Sequence, residues 1–190
     1  MRPKISTQQA KILAYFLERG PFKPSARFVD YKFEPDSREP ICLAIAQLDT
    51  KEEQDIYGMF NLPSDSDEQI LVTITDGDPD KVANSIARLV DYSRSHAIAF
   101  GHTFQLEEEP YLQECGRVAT LLLRVDAAKS LSRVPETITI DGKRYQTHLV
   151  VFLDSSEYQI KRSQGLVSLL DDMESKGRDL VRFVANERLQ

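Results

Sequence analysis

The chain has 190 residues, 41% of them hydrophobic and 28% charged, with a formal net charge of −6 at pH 7, a balance that excludes a disordered chain and fits one folded globular domain. Two cysteines without C-x-x-C spacing exclude a disulfide framework and a zinc ribbon. The first twenty residues break their apolar positions with Lys11, Glu18 and Arg19, unlike a signal peptide, so a reducing cytoplasm is the expected setting.

Thr7 to Arg19 is predicted as a helix. Ser6 and Gln9 have capping-box spacing, Ile12, Leu13, Phe16 and Leu17 share one face, and Gly20-Pro21 supplies the stop. Phe28 to Phe33 alternates like a strand that buries Phe28, Tyr31 and Phe33. Ile41 to Leu48 is apolar almost throughout, as a strand covered on both faces would be, and Gln69 to Thr75 is rich in β-branched residues. Asp78 can cap the next helix and Pro79 suits its first position. That helix runs to Ser95, with Val82, Ile86, Leu89 and Val90 in one arc and Asp80, Asn84, Arg88 and Asp91 opposite. Asp76, Asp78 and Asp80 lack the glycine and glutamate that a calcium loop needs.

Gly101-His102-Thr103 then opens an extended segment that ends in Glu107-Glu108-Glu109, and Pro110 to Gly116 reads as a connector. Strands are predicted over Arg117 to Val125 and Glu136 to Ile140, with the Asp141-Gly142 hairpin turn feeding Lys143 to Leu153. Asp154 to Glu157 caps a helix, or a broken pair of helices, carrying Ile160, Leu166, Leu169, Leu170 and Met173; Leu180 to Val184 is one further helix or strand. The expected architecture is α/β (α+β), a single domain over 1–190 whose mixed, largely antiparallel central sheet is flanked by helices.

Charge is uneven. Residues 34–114 hold eighteen acidic side chains against five basic ones, whereas residues 1–33 hold seven basic against two acidic. An acidic middle disfavours nucleic acid and favours a basic protein partner or a well-solvated surface. The three histidines, His96, His102 and His148, have no metal-ligand spacing, and no P-loop, nucleophile elbow or dinucleotide fingerprint occurs. No catalytic, metal or cofactor-binding residues are therefore assigned. His148, inside an apolar strand, is expected to be a core residue bonded to backbone, and Cys42 a buried inert thiol. Three consecutive acids cannot all face a core, so Glu107, Glu108 and Glu109 are the candidate partner-binding residues.

Several pieces occur in a recognisable order over about residues 57–175. They are Tyr57-Gly58-Met59, the helix residues Asn84, Ala87, Arg88 and Leu89, then Gly101-His102-Thr103 with Phe104 and Leu106. A strand at Ala119 to Val125, the Asp141-Gly142 turn, the strand Leu149 to Leu153, the cap Asp154 to Glu157 and Gly165-Leu166 with Leu169-Leu170 follow. Together they resemble the suppressor of fused domain family, in its freestanding bacterial type. The chain departs from that pattern at Ala97-Ile98-Ala99-Phe100, where the family often has aromatic and proline residues, and it has no tryptophan. The resemblance implies an α/β sandwich without a cofactor, in which Arg88, Gly101, His102, Thr103, Asp141, Gly142 and Gly165 are structural signature residues. Animal members bind and restrain a transcription factor, and bacterial ones look like immunity proteins. The resemblance thus implies a non-enzymatic, antitoxin-like immunity protein that neutralises a cognate toxin, such as a basic one, by occlusion, with no membrane or nucleic-acid partner. Two alternatives stay open: a regulator that binds another cellular protein, and an enzyme with a carboxylate or His102 site.

Overall fold

In the computed structural model, which describes residues 5–33, 39–49, 55–107 and 109–180, the first helix, α1 (Thr7–Arg19), starts on its predicted capping box. The Gln9 N–H donates to Ser6 Oγ at 3.1 Å, and the Ser6 N–H donates to the Gln9 side chain at 2.9 Å. Eight strands follow: β1 (Phe22–Tyr31), β2 (Ile41–Leu48), β3 (Tyr57–Leu62), β4 (Gln69–Thr75), β5 (Thr103–Gln105), β6 (Arg117–Leu123), β7 (Thr137–Ile140) and β8 (Lys143–Asp154). Three more helices complete the set: α2 (Pro79–Ser93), α3 (Pro110–Glu114) and α4 (Ser155–Ser175). The strands form one sheet in the order β1-β2-β3-β4-β8-β6-β5, with β7 paired to the free flank of β8. Only the β4–β8 pair is parallel, so the sheet is mixed and largely antiparallel.

Side chains alternate between two cores, one on each face of the sheet. Ala44, Phe60, Val72, Leu121, Leu149, Val151 and Leu153 meet Ile12 and Phe16 of α1 and Leu169 and Met173 of α4. Leu43, Met59, Leu71, Leu122, Val150 and Phe152 meet Val82, Ile86, Leu89 and Val90 of α2 and Leu112 of α3. The apolar run of β2 is thus explained by burial on both sides.

Three expectations need correction, and one strand, β3, was not among those expected. β1 begins six residues before Phe28 and lies at the sheet edge, so Phe28, Tyr31 and Phe33 are half-buried. β3 is a strand despite the glycine and asparagine that weaken its pattern. The connector after Glu109 contains the single helical turn α3, and the strand from Arg117 stops at Leu123, after which the chain winds through two 3-10 turns, Val125–Ala127 and Lys129–Leu131. The expected last element cannot be followed, since 181–184 lie outside the described residues.

Gly58 and Gly20 are required by close approach. A Cβ at either position would fall inside the Phe22 ring, and at Gly20 it would also lie 2.8 Å from the Phe16 carbonyl oxygen. Phe22 thereby wedges the start of β1 against β3 and α1, where Phe16 stacks on Phe60 with centroids 4.4 Å apart. On the other face the end of α2 is tied to the β3–β4 loop. Arg94 donates to both carboxylate oxygens of Asp67 at 2.9 Å, and Asp67 also accepts from the Ser64 N–H and hydroxyl at 2.9 Å. Burial pushes the Asp67 carboxyl up, but the Arg94 and Ser64 bonds outweigh it and hold the group below the usual carboxylate range.

Two stability outcomes follow. Gly58→Ala should destabilise by about 1–3 kcal/mol in urea unfolding, as overpacking does, and a Phe22→Leu background should remove much of that penalty; an unchanged penalty would disprove the wedge. Arg94→Ala should cost roughly 3 kcal/mol because it strands a buried carboxylate. Since the folded value of Asp67 is depressed, its contribution is complete above the unfolded value of about 3.9 and is lost as pH falls through the folded one. Below about pH 4 the Asp67→Asn protein should therefore lose stability less steeply than the parent.

Candidate functional site

α2 is built as its sequence predicts. Asp78 accepts from the Asp80 and Lys81 N–H groups, Pro79 opens the helix, and Val82, Ile86, Leu89 and Val90 face the sheet. Its outer residues Asn84 and Arg88, one turn apart, converge on Glu109. Arg88 Nε lies 3.2 Å from Glu109 Oε1, and Asn84 Nδ2 is 3.5 Å from the same oxygen. Two residues of the family pattern thus tie α2 to the start of α3.

The joint between α2 and β5 is held by main-chain bonds. Gly101 adopts φ +82°, its N–H donates to Leu122 O at 2.8 Å, and a Cβ there would lie 3.0 Å from Leu166 Cδ2 on α4. His102 is exposed, and it closes the turn with its backbone rather than its ring, its N–H donating to Ala99 O and its carbonyl accepting from Leu122. Thr103 then begins β5. The remaining signature positions are turns and breaks: Asp141 and Gly142, both at positive φ, make the β7–β8 hairpin, and Asp141 pairs with Lys11 of α1 at 2.6 Å. Gly165, at φ +91°, breaks α4 into two helices, one of the two arrangements expected.

Beside this joint lies a groove of about 490 Å³. Ser85, Arg88, Leu89 and Tyr92 of α2 form one wall, β5 with Leu106, Glu107 and Glu109 the other, and Thr120 of β6 belongs to the floor. The Ser85 and Thr120 hydroxyls are buried and have no hydrogen-bond partner. β5 ends the strand order of the sheet. Its even-numbered neighbours bond to β6 through the His102 carbonyl and the Leu106 N–H, so by ladder alternation the main-chain groups of Thr103 and Gln105 point away from β6. At the other end of the strand order, β1 carries Pro24 within a register shift, a feature that blunts pairing.

The three candidate acids separate. Glu107 is exposed on the groove rim, Glu109 is turned inward and only 9% exposed, and Glu108 lies outside the described residues. The expectation of a common acidic patch thus needs revision, because Arg88 and Asn84 recruit Glu109 into the fold. Sequence reasoning also passed over Ser85 and Thr120. Their signal was a hydroxyl residue on the apolar arc of a helix and another inside the ATLLL strand.

His148 is buried as expected, but its Nε2 has no hydrogen-bond partner, contrary to the backbone bond anticipated. Burial pushes its imidazole below the ordinary histidine value, partly offset by Glu136. His96 stacks on Tyr92, with centroids 4.1 Å apart. The Cys42 thiol is pushed up to about 12 by burial and then by Asp30, which makes it a poor nucleophile. Two other grooves, of about 460 and 680 Å³, lie around Asp30, Cys42 and Asp65 and between the 3-10 turns and the end of α4. His102 lines none of the three. Among the described residues no cluster of three or more His, Cys, Asp or Glu side chains could hold a metal, and no helix is long and apolar enough to cross a membrane.

No protein-family model matches this sequence, and no curated protein matches it either. Among solved structures, a protein described as a suppressor of fused homologue from Neisseria gonorrhoeae superposes with a TM-score of 0.69 at 11% identity, covering 96% of both chains. Drosophila Suppressor of Fused gives a TM-score of 0.45 at 14% identity, covering 88% of this chain, which spans 43% of the length of that one. The fold is suppressor of fused-like.

The separation of the acids has a measurable consequence. Glu109→Gln, which removes the charge that Arg88 and Asn84 grip, should lower stability by about 1 kcal/mol, while Glu107→Gln should stay within about 0.5 kcal/mol of the parent. Equal melting temperatures for the two variants would refute the inward role of Glu109.

Proposed function

We propose that this chain is a non-enzymatic protein-binding domain of the immunity type, which docks a toxin at the β5 edge and α2 groove and neutralises it by occlusion. The observation that supports this best is the edge itself. β5 ends a sheet whose two faces are otherwise covered by helices, and its Thr103 and Gln105 main-chain groups point outward beside an open groove. The suppressor of fused-like fold and the family's known binding members support the same reading. Glu107 on the rim and the acidic composition of residues 34–114 support a basic partner, steered by long-range attraction.

The reading makes the cognate toxin testable through the source genome. A neighbouring reading frame should encode a secreted protein with a toxin tip, and co-expression of this chain should restore growth to cells making that tip. Gln105→Pro, which deletes an outward N–H, should weaken the complex by about tenfold or more, roughly 1.4 kcal/mol, without lowering the melting temperature much. Glu107→Lys should slow association severalfold at low salt and little at high salt. Full protection by the Gln105→Pro protein would move the interface elsewhere. Absence of protection and of binding to the toxin would overturn the immunity reading.

A further inference from the structure

Two exposed side chains of different chemistry meet at the groove beside β5. Tyr92 of α2 is one of three large hydrophobic side chains left exposed among the described residues. Its ring stacks on His96 with the planes 8° apart and meets Phe104 at a steep angle, and these contacts still leave the residue 42% exposed. Glu107 lies at the rim. Its carbonyl accepts from the Gln113 side chain at 3.3 Å, which fixes the turn, while its exposed carboxylate pairs with no cation among the described residues. The other charges that line the groove are already engaged. Arg88 pairs with Glu109, and its guanidinium carbon lies 5.8 Å from the ring centroid of Phe33, a residue outside the groove lining. Glu107 is therefore the open charge of the site.

The rest of the lining narrows what fits. Leu89, Phe104 and Leu106 give the groove an apolar wall. A short apolar side chain would use that wall and leave Glu107 facing water, and an acidic one would be repelled at the rim. A small free cation would find a single carboxylate in high dielectric, too weak a site to hold it. A long side chain with an aliphatic stem and a cationic head satisfies both parts. The stem covers the apolar wall as lysine and arginine stems do, and the head meets a carboxylate and an aromatic ring at the wet end.

We propose that this groove is a subsite for one long cationic side chain, lysine or arginine, carried by an extended segment of the partner along β5. The stem lies against Leu89, Phe104 and Leu106, and the head reaches the Glu107 carboxylate at the rim beside the Tyr92 ring. Phe104 is the register partner of Thr120, so both stand on the sheet face that α2 covers, and a strand added to β5 places every second side chain on that face. The inference rests on the reading of β5 as a docking edge and adds to it the residue that is read. It also gives Glu107 a second role with its own signature. A charge that only steers changes the association rate, whereas one that grips a seated head changes the dissociation rate.

The test uses the full ¹⁵N-labelled chain and acetyl-Thr-Val-Lys-Val-Thr-amide, with matched peptides carrying arginine, norleucine, glutamine or glutamate at the centre. The lysine and arginine peptides should shift the Tyr92, Phe104 and Glu107 amide resonances and bind at least about fivefold more tightly than the norleucine and glutamine peptides, with the glutamate peptide weakest. In a Glu107→Gln protein the preference for lysine over norleucine should shrink to about twofold or less, mainly through faster dissociation, while shifts at Thr103 and Gln105 persist. In a Tyr92→Leu protein, which keeps an apolar side chain and removes the ring, the cationic peptides should lose affinity and the norleucine peptide should not. Tightest binding of the norleucine peptide would make the groove an apolar pocket and overturn the proposal. A lysine preference unchanged in Glu107→Gln, or peptide shifts confined to Thr103 and Gln105, would overturn it too, yet leave the docking edge standing. Binding of none of the peptides would overturn both readings.

Discussion

The strand on which the rest of the molecule depends is β8. It bonds in parallel to β4 along Gln146–Leu149, and antiparallel to β7 along Lys143–Gln146 and to β6 along Leu149–Asp154. Its odd residues Tyr145, Leu149, Val151 and Leu153 enter one core, and its even residues Val150 and Phe152 enter the other. A slip of one residue would exchange those sets and put wrong shapes into both cores at once. The register is pinned at both ends. Asp141 and Gly142, with the positive φ values a tight hairpin demands, start the strand, and Asp154 ends it by capping α4 in a reciprocal box with Glu157. Arg178 locks that box from the far end of α4 by donating to Glu157 at 2.7 Å.

The groove is a consequence of how the helices share the sheet. α2 covers β2, β3 and β4, and α3 is too short to cover the rest of that face. The space between them opens over β5 and β6, and the Arg88–Glu109 tie holds its walls at a set distance. The family-like residues therefore act as joints. Arg88 and Asn84 join α2 to α3, Gly101 lets the turn sit against Leu166 of α4, and Asp141 reaches Lys11 of α1. None of them needs to touch a partner for the groove to persist.

How much of this was legible in the sequence follows from the range of each interaction. The capping boxes at Ser6 and Asp154, the Asp78–Pro79 start and the Asp141–Gly142 turn are local, so short spacings reveal them. The two-faced burial of β2 was legible because a strand covered on both sides has no polar period to hide. β3 was not. Its Gly58 makes room for Phe22, and its Asn61 donates to Gln69 O and accepts from the Leu71 N–H, both choices set by neighbours distant in the chain. The same reason explains the acids. Nothing local distinguishes Glu107 from Glu109; only the position of Arg88, twenty-one residues earlier on another element, turns one of them inward.

The unmet hydroxyls bear on the same distinction between fold and surface. On the same sheet face Thr73 donates to Val150 O at 2.8 Å and Asn61 extends the β3–β4 ladder, whereas His148 Nε2, like the two hydroxyls, has no partner. Ser85 and Thr120 do neither, although apolar residues of similar size would fit an all-structural wall. Ser85 lies in the middle of a regular helix and Thr120 in the middle of a paired strand, and neither has the positive φ that marks backbone strain. The groove therefore presents its charged rim, Arg88 and Glu107, to solvent, and not these two hydroxyls, whose oxygens are sealed beneath it.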